Sequence, residues 1–257
     1  SCQAVDIPNN NNLATRDAID TGVDVNTLGD QGSIAFWYRS NDEWDGPSSA
    51  KVLFDASASS DAQFLMYIWP GGYLEFEASD PYGNRIERYT DQSSIAANTW
   101  VHIVVTWNAK SDDIKIYVNG VSNTVTPYLG NTLTQGLNLS LDTLYFGDNN
   151  STTESELGGS ADGSIDEINL FSHVLTQTEV NAIYAETPPC ETIHHFEINH
   201  DAQGLTCIVE PLTIKACVDE NCTGTMTTPT DIQIFANGVL KKTVTITGET
   251  ETSFNHL

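Results

Sequence analysis

The sequence predicts an all-β protein: a two-sheet antiparallel jelly-roll sandwich, then a second, smaller and incomplete immunoglobulin-like β domain. Three observations predict it. Short segments rich in β-branched and aromatic residues recur from Ser33 to Phe171, each bounded by Gly, Asn, Asp or Ser. Tight-turn signals join neighbouring segments at Pro70-Gly71-Gly72, Asn119-Gly120 and Asn237-Gly238. One segment, Leu175 to Ala185, carries helical spacing instead.

The elements follow in order. Ser33–Arg39, Val52–Asp55, Gln63–Trp69, Tyr73–Ala78 and Arg85–Tyr89 read as strands. Val101–Trp107 opens on a nearly unbroken apolar run, as a central strand covered on both faces requires. In Ile114–Val118, the residues Ile114, Ile116 and Val118 alternate with Asp113, Lys115 and Tyr117, so one face is buried. Thr143–Phe146 and Ser164–Phe171 complete the set. Thr176 then caps a helix, and Glu179 three residues on makes a capping box. Val180, Ile183 and Tyr184 share a helix face that is expected to seal one edge of the sandwich.

Pro188-Pro189 marks the boundary, giving domains at 1–187 and 188–257. Strands are expected at Ile193–Asn199, Leu212–Val218, Asp231–Ala236 and Leu240–Thr247. An immunoglobulin-like sandwich takes about seven strands over ~100 residues. The 68 residues from Cys190 supply four or five, so the second domain is expected to be truncated, with an open strand edge.

Composition narrows the function. Lys and Arg total 10 against 35 Asp and Glu, a net charge of −25. Such a chain lacks the basic face that phosphates require, so nucleic acid is excluded as a partner. The charge fits a solvated acidic surface, a saline habitat or cation binding. No apolar run approaches the ~20 residues of a membrane span. No signal peptide is visible at Ser1, so a mature form or a fragment is expected. The cysteines are Cys2, Cys190, Cys207, Cys217 and Cys222, with no Cys-x-x-Cys pair and no His at zinc-finger spacing. Disulfides and an oxidising compartment follow, which points to a secreted or cell-surface protein. One pair is expected within Cys207, Cys217 and Cys222. Cys2 and Cys190 bracket the first domain and would staple it, which leaves one thiol over.

Several segments together resemble a known domain: Ser33-Ile-Ala-Phe-Trp-Tyr38, Trp100-Val-His-Ile-Val-Val-Thr-Trp107, Ile116-Tyr-Val-Asn-Gly120, Leu144-Tyr-Phe-Gly147 and Gly163-Ser-Ile-Asp-Glu-Ile168. Over residues 1–186 the chain resembles the LamG-like, concanavalin A-like jelly roll, which implies carbohydrate or protein binding. His194-His-Phe-Glu-Ile198, Leu205-Thr-Cys207 and Ala216-Cys-Val-Asp-Glu-Asn-Cys222 resemble the domain that follows LamG in the MSHA pilus biogenesis family MshQ. That resemblance implies a surface protein linked to a type IV pilus.

The LamG resemblance also implies one Ca²⁺ at the rim, with Asp61 and Asp162 as ligands, Asp148 at the same rim and Asp166 as an alternative. Calcium takes six to eight oxygens from flexible loops, and loops 55–61 and 147–162 are rich in them. For a ligand, the candidate contacts are Trp44, Tyr82 and Asn149, with Trp44 expected to be exposed within Asn41-Asp-Glu-Trp-Asp45. Trp69, Tyr73 and Tyr89 also lie in or beside loops, whereas Trp37, Trp100 and Trp107 read as core.

Catalysis finds less support. Jelly-roll glucanases project carboxylates as Glu-x-Asp-x-x-Glu, and no such run exists here. Glu75 and Glu77 do share a strand face, which a solvated strand also produces. His194, His195 and His200 are spaced for structure rather than chelation, with His195 facing away from the other two. The expected function is therefore a secreted or surface adhesion module. It is non-catalytic, calcium-stabilised and pilus-associated, and it binds a glycan or protein through loops 41–48, 55–62, 80–84 and 148–162. The alternatives are a structural spacer or assembly factor for a pilus, and a glycan-cleaving enzyme.

Overall fold

The structure, a computed structural model, describes residues 4–10, 17–46, 49–128, 132–133, 135–148, 159–186, 189, 193–199, 210–218, 221–226, 229–236 and 238–254. The chain divides into two compact units, Ser1–Pro189 and Cys190–Leu257.

In chain order the first unit carries β1 (Val5–Ile7), β2 (Ile19–Asp24), β3 (Gln31–Ser40), β4 (Lys51–Asp55), β5 (Phe64–Trp69), β6 (Tyr73–Ser79) and β7 (Arg85–Tyr89). Then come β8 (Trp100–Asn108), β9 (Asp113–Val118), β10 (Val121–Asn123), β11 (Thr126–Pro127), β12 (Thr143–Phe146), β13 (Gly163–Phe171) and the helix α1 (Gln177–Glu186). A six-stranded sheet runs β1-β13-β3-β8-β9-β10, and a seven-stranded sheet runs β11-β7-β6-β5-β4-β12-β2. Among the described residues the strands pair antiparallel, and chain-distant strands such as β13 and β3 lie side by side. This is a jelly-roll sandwich, the fold class that the sequence predicts.

The core forms where inward residues of both sheets meet. Phe36 of the first sheet packs edge-on against Phe54 and Phe146 of the second, and Trp107 packs against Phe64 and Phe76. All six are fully buried. Gly32 lies directly over Trp107, where a Cβ would come within 2.4 Å of the indole, so this strand position has room for glycine alone. The nine expected strands of this unit all appear. β1, β2, β10 and β11 were not foreseen: three have only two or three residues, and β2 is half polar.

The helix begins as expected. The Thr176 backbone N–H donates to Glu179 Oε2 at 2.8 Å, and the Glu179 N–H donates to Thr176 Oγ1 at 3.3 Å. Its place differs from the expectation. It does not seal an edge of the sandwich. It lies on the outer face of the six-stranded sheet, where Val180 joins a buried cluster with Ala35, Val104, Tyr117 and Leu175. The reason is that this outer face is itself apolar and requires a cover. Trp37 is buried there, under Tyr184, rather than in the central core. Trp100 is half-buried beneath the Arg39 guanidinium, 5.1 Å from its ring centre.

β13 contains a bulge. Asp166 faces Trp37 across the pair while Asn169 faces Ala35, so one extra residue is inserted. Glu167 takes φ +49 within it.

The second unit holds β14 (His195–Asn199), β15 (Glu210–Cys217), β16 (Thr230–Ala236), β17 (Val239–Ile246) and β18 (Glu249–Phe254). One sheet is β14-β15-β18 and the other is β16-β17, around a small core of Ala216, Met226 and Ile246. Cys217 and Cys222 form a disulfide. Cys2, Cys190 and Cys207 lie outside the described residues.

Candidate ligand-binding face

The helix covers one outer face of the sandwich; on the outer face of the seven-stranded sheet Ala50, Val52, Leu65 and Tyr67 form a buried cluster, while Trp69 and Tyr128 are exposed. Strand alternation sends Phe64, Met66, Ile68, Leu74, Phe76 and Ile86 into the core. The intervening residues of β5, β6 and β7 therefore point outward. Pairing then assembles them. Tyr67 lies opposite Glu75, Glu77 opposite Glu87, Glu75 opposite Tyr89 and Ser79 opposite Arg85.

Two groups result. The first is a carboxylate floor: Glu75, Glu77 and Glu87 each offer an oxygen, and these lie within 4.8 Å of one another. Tyr67 donates its hydroxyl to Glu77 Oε1 at 2.5 Å. Arg85 bridges Glu77 and Glu87 from the side. The second is an aromatic row at the neighbouring end of the same strands. Tyr67 packs on Trp69, Tyr73 on Tyr89, and Tyr89 on Tyr128, with ring centres 5.9, 6.1 and 6.4 Å apart. Trp69 and Tyr128 are exposed, whereas Tyr67, Glu77 and Glu87 are buried.

The electrostatics follow from crowding. Burial, then the charges of Glu77 and Glu87, push the Glu75 carboxyl up to about 7. Burial also raises Glu77, against the opposing pull of Tyr67 and Arg85. Arg85 is driven further above its usual range, because the pull of Glu77 and Glu87 outweighs its burial. The face thus carries a protonatable carboxyl at neutral pH, hydrogen-bonding groups and flat apolar rings.

The carboxylates expected to bind calcium do not gather. Asp162 Oδ2 accepts from Asn9 at 3.1 Å and pairs with the Lys51 ammonium at 3.3 Å, while Oδ1 accepts from Asn41 at 2.9 Å. Asp148 lies at the same end of β4 and accepts the Asp17 N–H at 3.1 Å. Asp61 follows the opposite end of β4. The four residue steps from Lys51 to Asp55 alone separate the two ends by ~13 Å. Asp166 sits within β13, where it accepts the Glu167 N–H at the bulge. These four do not fit one ion, because a lysine ammonium already occupies the Asp162 end and strand β4 holds Asp61 away.

Trp44 is the clearest correction among the ligand contacts. It was expected to be exposed and is fully buried, packed against Tyr38 in the core. Its segment folds inward because the Trp44 N–H donates to Ile95 O, which ties the loop over the sandwich end. Tyr82 is 77% exposed, in a turn whose N–H groups Asp80 accepts. Asn149 lies outside the described residues. Glu87, Arg85, Tyr67 and Tyr128 were missed. The shared face of Glu75 and Glu77 was the available signal, and β-pairing supplied the rest.

The fold and this face define a class: an antiparallel lectin-type sandwich with a side-chain-rich outer sheet. Residues 12–181 match the Laminin_G_3 model, described as the concanavalin A-like lectin/glucanases superfamily, and the chain belongs to that family. Residues 193–256 match a domain of unknown function, DUF8613. Among solved structures, the chain is similar to the CBM40 domain of the Ruminococcus gnavus IT-sialidase bound to α2,3-sialyllactose. The identity is 14% and the TM-score 0.52, over 71% of this chain and 96% of that one. It is also similar to the leech intramolecular trans-sialidase, at 16% identity and TM-score 0.51, over 84% of this chain and 33% of that one. These likenesses show the fold. Among the described residues, no helix is long and apolar enough to cross a membrane.

Proposed function

We propose that the first unit is a non-catalytic glycan-binding module that seats a saccharide on the outer face of the seven-stranded sheet. One observation carries the reading: the row Trp69, Tyr73, Tyr89, Tyr128 borders the floor of Glu75, Glu77 and Glu87 on one sheet face. Aromatic rings take the apolar faces of sugar rings, and the half-buried Glu75 beside them offers its carboxyl to a hydroxyl. The lectin superfamily match and the carbohydrate-binding CBM40 neighbour support it. The charge selects among sugars. Three glutamates against one Arg85, in a chain of net charge −25, disfavour a sialylated ligand and favour neutral or amino sugars.

A glycan array with neutral, amino and sialylated sugars tests this. Binding should concentrate on the first two classes. Trp69→Ala and Tyr128→Ala should each weaken it by about fivefold, about 1 kcal/mol. A blank array, or binding untouched by both variants, overturns the reading and favours a structural spacer.

A second reading is favoured by the Glu75 carboxyl, raised to about 7 beside close carboxylates. Retaining glycosidases pair such an acid with a nucleophile about 5 Å away. Reducing sugar released by the wild type and abolished in Glu75→Gln would replace binding with cleavage. The pilus-linked surface setting rests on the resemblance of the second unit to MshQ. Protease shaving of intact cells tests it, since a surface protein is lost and an internal one is kept.

A further inference from the structure

The second unit places four metal-ligating side chains together. His195 on β14 pairs directly across from Cys217 on β15, and the His194 N–H donates to Cys217 O at 2.8 Å. His195, Glu197, Cys217 and Cys222 each offer one ligand atom, and all four lie within 4.8 Å of one another. His195 and Glu197 are two apart on one strand and so share a face. The histidines differ from the expectation: the rings of His194 and His195 meet, with Nδ1 atoms 3.0 Å apart, because His194 precedes the strand and escapes its alternation. The two cysteines stand in Cys-x₄-Cys spacing, within the range of tetrahedral zinc sites.

We propose that this cluster is a two-state site: a disulfide when oxidised, and a Zn²⁺ site of Cys217, Cys222, His195 and Glu197 when reduced. The step balances. A dithiol reductant gives two electrons and two protons to the Cys217–Cys222 bond, which opens to two thiols as the reductant closes to its own disulfide. Zn²⁺ then displaces the two thiol protons and takes both thiolates, the imidazole and the carboxylate. Mixed S, N and O ligands at tetrahedral number suit zinc over calcium or magnesium. β14 and β15 hold the His195–Cys217 edge in either state.

Cobalt(II) tests this, since its thiolate charge-transfer absorption reports sulfur ligation. The full chain is titrated oxidised and after reduction by a dithiol that is then removed. The reduced protein should bind one Co²⁺ with thiolate absorption at this site, and the oxidised protein should show none. The Cys217→Ser/Cys222→Ser double variant keeps Cys2, Cys190 and Cys207 and should lose the signal. Outer-shell partners alone change metal affinity by about 10–100-fold, so His195→Ala should weaken binding at least that much. The proposal is overturned by a signal retained in the double variant, or by unchanged affinity in both His195→Ala and Glu197→Ala. It is equally overturned if circular dichroism shows the reduced chain losing its strands and Co²⁺ failing to restore them.

Discussion

The two outer faces of the sandwich solve one problem in opposite ways. Both sheets are built from alternating strands, so each must do something with the side chains it turns away from the core. The six-stranded sheet turns out Ala35, Trp37, His102, Val104 and Tyr117 and hides them under α1. The seven-stranded sheet turns out Tyr67, Glu75, Glu77, Arg85 and Glu87 and lets them satisfy each other. One titratable group marks each side. Under the helix, burial holds His102 near 4, so it stays neutral. On the other face, burial and neighbouring carboxylates hold Glu75 near 7, so it too favours neutrality. A face closed by its own helix is finished as structure, and a face of paired polar groups beside aromatic rings is fitted for contact.

The comparison breaks first at Trp37. Trp37→Ala removes the ring on which Tyr184 stacks and should cost about 3–5 kcal/mol in chemical denaturation. An equal loss from Trp69→Ala, on the exposed face, would erase the distinction between the faces. pH sharpens it next. Below its usual 6.5, His102 in the unfolded chain takes a proton that the folded chain refuses until about 4. That contribution is fully present above 6.5 and is lost as pH falls toward 4. Glu75 works in reverse: the folded chain keeps a proton from about 4.5 to 7 that the unfolded chain releases, so its contribution is lost as pH rises toward 7. Relative to wild type, Glu75→Gln should therefore gain Tm as pH rises from 4.5 to 7, and His102→Phe should gain as pH falls from 6.5 to 4. Parallel profiles would mean that the groups are not buried as described. Thr176→Ala breaks the capping box and should cost about 1 kcal/mol, felt by the covered face alone. The smallest effect belongs to Tyr128→Ala, where stability should stay within about 0.5 kcal/mol while glycan binding falls.

Much of this was legible from residue order. Val101–Val105, the alternation around Ile116 and the Thr176/Glu179 box each act over a few residues, and each yields the element it announces. The proposed binding face was legible only in fragments. Glu75 and Glu77 share a face by local periodicity, but Glu87 joins them only because β6 and β7 pair with Glu77 opposite Glu87. Trp69, Tyr73 and Tyr89 form a row for the same reason, since cross-strand register is not written in any one segment. Trp44 misled because its neighbours are polar. The Trp44 N–H bond to Ile95 O, with Ser94 donating to Asp45 beside it, turns that polar loop over and sends the indole inward.

The bulge in β13 makes one strand readable in two frames. Ahead of it Ile165 enters the core beside Tyr38, and beyond it Leu170 lies opposite Ile34 and packs on the same core. Were every residue kept and the ladder unbulged, Asn169 would stand opposite Ile34 and Leu170 would face outward. Glu167 is exposed, and a strand without it would pair Asp166, Ile168, Asn169 and Leu170 in unbroken alternation with Trp37, Phe36, Ala35 and Ile34. The bulge absorbs the extra residue where it stands, so Leu170 keeps its place on the core and Phe171 its place on the helix-covered cluster, as a spelling error confined to one word leaves the rest of the line readable.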